Sequence, residues 1–371
     1  MKNFLLPFAF FFLVGPLFSQ QITYSQPQTN DLVRTLNFEI IGKMDGNFLV
    51  YKNIRDKHSI SVYNKDMQLT ESTDLQFMDD RVLNVDFVLY SDFAWLIYQY
   101  QKKNVLHCSA VKINKDGKLL TNPMDIDTTM INYSADNKIY TTISSEDKSK
   151  IMIFKIQKVK DLYNFTTLLF NDSLQLLHKS QIATTYESRK NIFSAFLLSN
   201  EGNFVFTRGD RPNSRNYIEQ LTLMTKAPDS DSFDLTPINL SEKYVDEIKL
   251  KVDNVNHHYL VNTFYYDKKR GDVAGIFMAA FKEGTNTQTS GSFLSFGDNI
   301  RSEAKSDGNS TKSGLNDYLI KDIVLKKDGG FILIAEDFYS QSKSNPWDRY
   351  DYLYGSPYFS PYYFNNYSYS P

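Results

Sequence analysis

Asp45-Gly-Asn-Phe-Leu-Val50, Glu201-Gly-Asn-Phe-Val-Phe206 and Asp328-Gly-Gly-Phe-Ile-Leu333 are one phrase written three times. Each sets an acidic residue and a glycine ahead of a phenylalanine and a short apolar run. Glycine accepts the positive φ that a tight hairpin needs, and a Phe/Val/Ile/Leu run suits a pleated, buried surface. The phrase therefore reads as a bend followed by a core strand. Looser copies are Ser91-Asp-Phe-Ala-Trp-Leu-Ile97, Asp136-Asn-Lys-Ile-Tyr-Thr141 and Asn256-His-His-Tyr-Leu-Val261. The anchors are then Phe48, Trp95, Ile139, Phe204, Tyr259 and Phe331.

Another apolar stretch precedes each copy, at residues 38–41, 85–89, 130–133, 193–198, 247–252 and 320–325. A third strand often follows and ends in a second turn. Two of those turns, Asn64-Lys-Asp-Met-Gln-Leu69 and Asn114-Lys-Asp-Gly-Lys-Leu119, match closely. Most runs are short and alternate with polar residues, which is strand and hairpin grammar. Leu174–Ser180 reads as either a helical turn or a strand.

The anchors recur roughly every 57 residues, near the period of a repeat architecture with loop insertions. One sheet cannot cover both of its own faces, so such units stack radially and leave only short edges. The expected fold is all-β: a β-propeller of six four-stranded blades, or seven if Asn164-Phe-Thr-Thr-Leu-Leu-Phe170 opens another. The rivals are a β-sandwich array and an irregular β-solenoid. The last blade shows two strands before residues 339–371, a Tyr, Ser, Asn and Pro tract. Either Ile22-Thr-Tyr24 pairs with that blade, or its outer strands are missing and the tract is a long loop.

The chain opens with Met1-Lys2-Asn3 and then an uncharged run, Phe4–Phe18. That pattern is a secretory signal, with cleavage expected between Ser19 and Gln20. The run is shorter than the roughly 20 residues of a membrane span. The expected organisation is a signal peptide over 1–19, a propeller domain over 20–338 and the tract over 339–371. The mature chain is expected in the periplasm, on the outer surface or outside the cell, with no membrane span. Cys108 is the one cysteine, so no internal disulfide forms, and it should behave as a small apolar core residue. A net charge of −2 offers no basic field for nucleic acid.

No G-x-S-x-G, H-E-x-x-H, phosphate-cradling loop or C-x-x-C pair is present. Asp229, Asp231 and Asp234 alternate in a loop, a spacing that can wrap Ca²⁺ in oxygen, and Ca²⁺ is the one cofactor the sequence suggests. Arg208-Gly209-Asp210 spells an adhesion tripeptide but reads as ordinary turn chemistry. The binding candidates are Tyr350, Tyr352, Tyr354, Tyr358, Tyr362 and Tyr363, rigid rings with a polar rim.

In its signal segment, its repeated Asp-Gly-x-Phe strands and its late Tyr-rich insertion, the sequence resembles exported β-propeller-like proteins of Gram-negative bacteria. The resemblance implies architecture and compartment and carries no functional residues with it. The expected function is non-enzymatic: an exported interaction or scaffold protein holding a protein or a cell-envelope glycan through propeller loops. A glycan hydrolase or lyase, with carboxylates converging from several blades, is the alternative. A non-catalytic carbohydrate binder using Tyr and Trp rings is the other.

Overall fold

The computed structural model describes residues 22–26, 36–297 (without 79–81, 132–133, 136–137, 160–161, 186–189, 213–216 and 270), 299 and 318–337. Every regular element among them is a strand. The first sheet holds β1 (Leu36–Met44), β2 (Asn47–Ile54), β3 (Lys57–Tyr63) and β4 (Leu69–Asp74). The second holds β5 (Val82–Leu89), β6 (Phe93–Lys102), β7 (Val105–Asn114) and β8 (Met124–Met130). The third holds β9 (Tyr140–Ser144), β10 (Lys150–Val159), β11 (Leu162–Asn171) and β12 (Leu176–Thr185). The fourth holds β13 (Asn191–Leu198), β14 (Phe204–Asp210), β15 (Gln220–Lys226) and β16 (Asp234–Ile238). The fifth holds β17 (Tyr244–Asp253), β18 (His258–Tyr266), β19 (Val273–Lys282) and β20 (Gln288–Ser295). The sixth shows β21 (Tyr318–Leu325) and β22 (Phe331–Asp337).

Each sheet is an antiparallel meander whose strands lie side by side in chain order. The residues form two compact units. The smaller contains the first sheet with residues 91–94 and 112–122. There Lys115 pairs with Asp45 at 2.6 Å, and Lys118 pairs with Glu71 at 2.7 Å. The larger contains the rest of the second sheet and the third to sixth sheets. In it the opening strand of one sheet touches the opening strand of the next, β9 with β13, β13 with β17 and β17 with β21. This is the blade architecture of a β-propeller, and the fold is all-β.

Burial explains why these residues make these strands. Middle strands are covered on both faces and read as near-continuous apolar runs; β18 is buried from Tyr259 to Tyr266. Outermost strands alternate or are open, as in β12 and β20. The seam between the third and fourth sheets is aromatic, with Phe154, Phe165, Phe193, Phe204 and Phe206 all buried. The seam between the fourth and fifth is mainly aliphatic, with Val205, Leu223, Val245 and Val261.

The repeated phrase occupies equivalent places. Phe48, Phe204 and Phe331 each stand at the start of the second strand of a sheet. Phe204 is fully buried, and the other two are half-buried. Gly46, Gly202 and Gly329 have φ of 86°, 91° and 82°. Gly202 N–H donates to Ser199 O at 2.9 Å, and Gly329 N–H donates to Lys326 O at 3.1 Å, the same bend twice. The two matching later turns are also one structure. Asn64 Oδ1 accepts from the Asp66 and Gln68 amides, and Asn114 Oδ1 accepts from the Asp116 and Lys118 amides.

Three expectations need correction. Ile139 is not equivalent to the other anchors, because it precedes β9, an opening strand. The true counterpart is the start of β10, whose bend places Lys148 at φ 59° where the other copies use glycine. Met130 correspondingly ends β8, and the third sheet opens with β9. Asn164–Phe170 opens no further blade, because it is the interior of β11. Ile22 and Tyr24 belong to no strand and are 68% and 80% exposed. Leu174–Ser180 resolves as a turn running into β12.

The bend is testable at Gly202. A Cβ there would meet Leu169 and Pro228 at an ordinary 3.4 Å, so backbone strain and not collision opposes a side chain. Gly202→Ala should lower unfolding stability by about 1–2 kcal/mol. Gly202→Asn should lose less, because Asn tolerates the left-handed region. Chemical denaturation of the three proteins measures the order, and equal losses for Ala and Asn would refute the φ explanation.

Candidate functional site

The two ends of the hairpins in the larger unit differ in chemistry. At the end where opening strands turn into second strands, successive turns grip one another. Tyr90 Oη donates to Lys148 O at 2.9 Å, and Lys148 Nζ donates to Leu89 O at 2.6 Å. The Asp147 amide donates to Asn200 Oδ1 at 3.1 Å, and the Asn200 amide donates to Asn254 Oδ1 at 2.9 Å. Asn254 Nδ2 returns to Glu146 Oε2 at 2.7 Å. This relay links the turns of the second to fifth sheets.

The opposite end of the fourth sheet opens into a cleft of about 570 Å³. Register fixes its place: Asn191 at the start of β13 pairs with Asp210 at the end of β14. Thr185 reaches it from the end of β12, with Lys190 and Asn191 from the next opening strand. Arg208, Asp210, Arg211 and Pro212 come from the end of β14, and Glu219 and Gln220 from the start of β15. Two backbone bonds fix the rim. The Arg211 amide donates to Lys190 O at 2.8 Å, and the Glu219 amide donates to Asp210 O at 2.8 Å.

Charge in the cleft is mixed. Asn191 Nδ2 donates to Asp210 Oδ1, and Arg208 Nε lies 3.4 Å from the same oxygen. Lys269 Nζ stands 2.8 Å from Glu219 Oε1. Arg211 is only 3% exposed, although its neighbour Lys190 is open to solvent. Tyr217, next to Ile218 in the connection to β15, stacks on Tyr266 with ring centroids 4.0 Å apart and 14° between planes and packs against a core cluster of Phe264, Val273 and Ile320. The opening strand β13 is bulged between Ser194 and Leu197, with Ala195 at φ 60°. The opening strands β1, β17 and β21 are bulged too. Bulges re-aim side chains and recur beside binding sites.

A second polar cluster is buried in the seam between the second and third sheets. Lys155 Nζ donates to Asp127 Oδ2 at 2.6 Å, Thr129 Oγ1 at 2.8 Å, Tyr140 Oη at 3.2 Å and Thr128 O at 3.2 Å. Tyr140 Oη donates to Asp127 Oδ2 at 2.8 Å, and Lys179 Nζ donates to Asp127 Oδ1 at 2.9 Å. Burial works to raise the Asp127 pKa, but the hydrogen bonds from Lys155, Lys179 and Tyr140 outweigh it and hold the carboxyl below its usual range. Burial likewise drives the Tyr140 phenol and the Cys108 thiol well up. Gln99 completes the stitch, accepting from the Ile139 and Tyr140 amides and donating to Tyr140 O at 2.7 Å. Every charge here faces a protein partner, so the cluster clasps two sheets and holds no reactive group.

The sequence candidates fare differently. Tyr350, Tyr352, Tyr354, Tyr358, Tyr362 and Tyr363 lie outside the described residues. Asp229, Asp231 and Asp234 are all exposed and do not gather. Asp231 Oδ1 lies 3.0 Å from His178 Nε2, while Asp234 opens β16. Among the described residues no group of three His, Cys, Asp or Glu could hold a metal ion. Between the three aspartates Ser230 Oγ donates to Ser232 O at 3.1 Å and accepts from the Ser232 amide at 3.1 Å. Cys108 is fully buried, as expected. Arg208 and Asp210, dismissed as turn chemistry, are strand residues that line the cleft. Continued alternation through Phe204-Val-Phe-Thr-Arg-Gly-Asp210 was the signal for that.

No protein-family model matches the sequence, and no curated protein matches it. Among solved structures, Kuenenia stuttgartiensis hydrazine synthase superposes with a TM-score of 0.39 at 10% identity, over 82% of this chain and 79% of that one. Penicillium chrysogenum α-L-arabinanase complexed with arabinobiose gives 0.36 at 12%, over 69% and 76%. A Synechocystis apocarotenoid oxygenase mutant gives 0.39 at 7%, over 77% and 64%. Likenesses of this size assign no activity.

The clasp makes a pH prediction. A carboxyl held below its unfolded pKa contributes stability that is fully present above that value, near pH 4, and is lost as acid titrates the folded group. Asp127→Asn should cost about 3 kcal/mol at pH 7 by leaving Lys155 buried without its anion. Its melting temperature should also fall less steeply than the wild type's below about pH 4. Thermal melts from pH 7 to pH 3 check both, and parallel curves would contradict the assignment.

Proposed function

We propose that this is an exported recognition protein whose binding surface is the end of the propeller bearing the cleft, and that its ligand is a glycan of the cell envelope. The observation that carries the reading is the contrast between ends. One is cross-linked by turn-to-turn hydrogen bonds, and the other opens into a polar cleft of ligand size, within the roughly 300–1,000 Å³ of small-molecule sites. The lining suits hydroxyl groups, which donate and accept at once. Asp210 and Glu219 accept, Asn191 and Gln220 do both, and the cations donate. Export rests on the Met1-Lys2 start and the uncharged run that follows. Among the described residues no helix is long and apolar enough to cross a membrane.

A second reading is glycan cleavage in the same cleft. It is favoured by one observation, that Asp210 and Glu219 are both lining carboxylates. Paired carboxylates are the means of glycosidic hydrolysis. Against it, each already has a partner, Asn191 for Asp210 and Lys269 for Glu219.

Glycan-array binding of the full chain, the Asn191→Ala/Gln220→Ala variant and a chain ending at residue 341 tests both readings. The double variant should lose about tenfold in affinity for the glycans that bind, the scale of two lost hydrogen bonds. Truncation should weaken binding further if the tract takes part. New reducing ends that disappear in Asp210→Asn/Glu219→Gln would establish cleavage. Unchanged array profiles in all variants would remove the cleft from the function.

A further inference from the structure

The charge arrangement in the cleft says more about the ligand than its polarity does. Both lining carboxylates are engaged inside the protein, Asp210 with Asn191 and Arg208, and Glu219 with Lys269. Three cations line the same space: Lys190 at the rim, Arg208 on β14 and Arg211 in the wall. Arg208 is the informative one. Its Nε is buried, has no hydrogen-bond acceptor among the described residues, and reaches Asp210 only at 3.4 Å. A buried guanidinium N–H without an acceptor leaves its desolvation uncompensated, and an incoming anionic oxygen would restore it. Arg presents a planar fork that fits carboxylate and sulfate, while the exposed Lys190 supplies an adjustable point charge. Among the described residues the wall is otherwise polar, with Pro212 its single apolar side chain. Those polar groups match a sugar's hydroxyls.

We infer that the cleft binds an acidic sugar residue, a uronate or a sulfated sugar, with its anionic group between Lys190 and Arg208. This rests on the glycan reading above and narrows its ligand class. The acidic group would lie in the cleft.

The test compares three probes by isothermal titration with the full chain: an oligogalacturonate, its carboxyl-reduced neutral counterpart and a polyglutamate peptide of equal charge. The oligogalacturonate should bind at least about tenfold more tightly than the neutral oligosaccharide, the scale of one charge-assisted hydrogen bond. Lys190→Ala and Arg208→Gln should each narrow that gap, lowering affinity for the oligogalacturonate by a larger factor than affinity for the neutral probe. Raising salt should narrow it too, though less in Lys190→Ala, since the exposed lysine is the group most open to screening. Circular dichroism and melting temperature identify a variant that has not folded. Lys190 is exposed, so its variant keeps the inference falsifiable if Arg208→Gln fails to fold.

Equal affinity for acidic and neutral sugars would overturn the anionic subsite and leave the glycan cleft standing. Polyglutamate binding as tightly, with the same dependence on Lys190, would overturn the sugar and identify an acidic-peptide site. No binding of any probe would overturn this inference and the glycan reading together. A sulfated oligosaccharide run in parallel separates the two anionic groups. Preference for it over the uronate makes sulfate the group held between Lys190 and Arg208.

Discussion

Each middle strand of this protein is apolar on both faces, and a single sheet has no means of hiding both. Val205 looks one way into an aliphatic seam, and Phe204 and Phe206 look the other way into an aromatic one. Burying such side chains stabilises the chain by about 1.5–3 kcal/mol each, and that gain exists only if another sheet arrives on each side. Radial stacking follows from this constraint. Hydrogen bonding inside a sheet fixes the order of its strands, and burial between sheets fixes where each sheet stands.

The seams obey one rule with different chemistries, and the differences set their roles. The aromatic seam orders its rings edge-to-face and offset, as in Phe165 with Phe193 at 5.3 Å and 78°. Apolar seams are tolerant, since one branched or aromatic residue can replace another at modest cost. The seam between the second and third sheets is not. Lys155 sits in the middle of Ile151-Met-Ile-Phe-Lys-Ile156, and that charge forces Asp127, Tyr140 and Thr129 into fixed positions around it. A buried ion pair adds little net stability over an apolar replacement but penalises every other alignment. The clasp therefore sets the register between those two sheets, which a greasy contact alone would leave loose.

The sequence made the repeat visible where glycine marks the bend, at Gly46, Gly202 and Gly329. It hid the third copy, because Lys148 carries the same left-handed backbone conformation without the glycine that advertises it. Asp136-Asn-Lys138 then imitated the missing bend one strand too early. The site was harder to see, for a geometric reason. Its described walls come from Thr185, Lys190 and Asn191, from 208–212 and from 219–220, which meet only because β13, β14 and β15 pair in register. Alternating aspartates at 229–234 are a spacing signal, and spacing alone does not show that Asp231 stands 3.0 Å from His178. A lysine inside an apolar strand demands a partner, and the sequence does not say which partner answers it.

The unequal ends of the hairpins tie architecture to recognition. Short bends after the opening strands leave little backbone to spare, so neighbouring turns come close enough for Asn200 and Asn254 to reach across. At the other end β6 and β7, and likewise β10 and β11, are joined by two residues, whereas the connection from Asp210 to Gln220 is longer. The cleft lies at that longer connection, and loops on a rigid scaffold are where binding residues concentrate. Arg211 shows how the scaffold exploits this. It lies one residue past the strand, its amide is tied to Lys190 O, and its side chain is almost wholly buried. A cation held in that way cannot relax toward solvent, so it presents a fixed positive wall to whatever enters the cleft. The same guanidinium on a solvated loop would be screened within a Debye length and would discriminate little between anionic and neutral ligands.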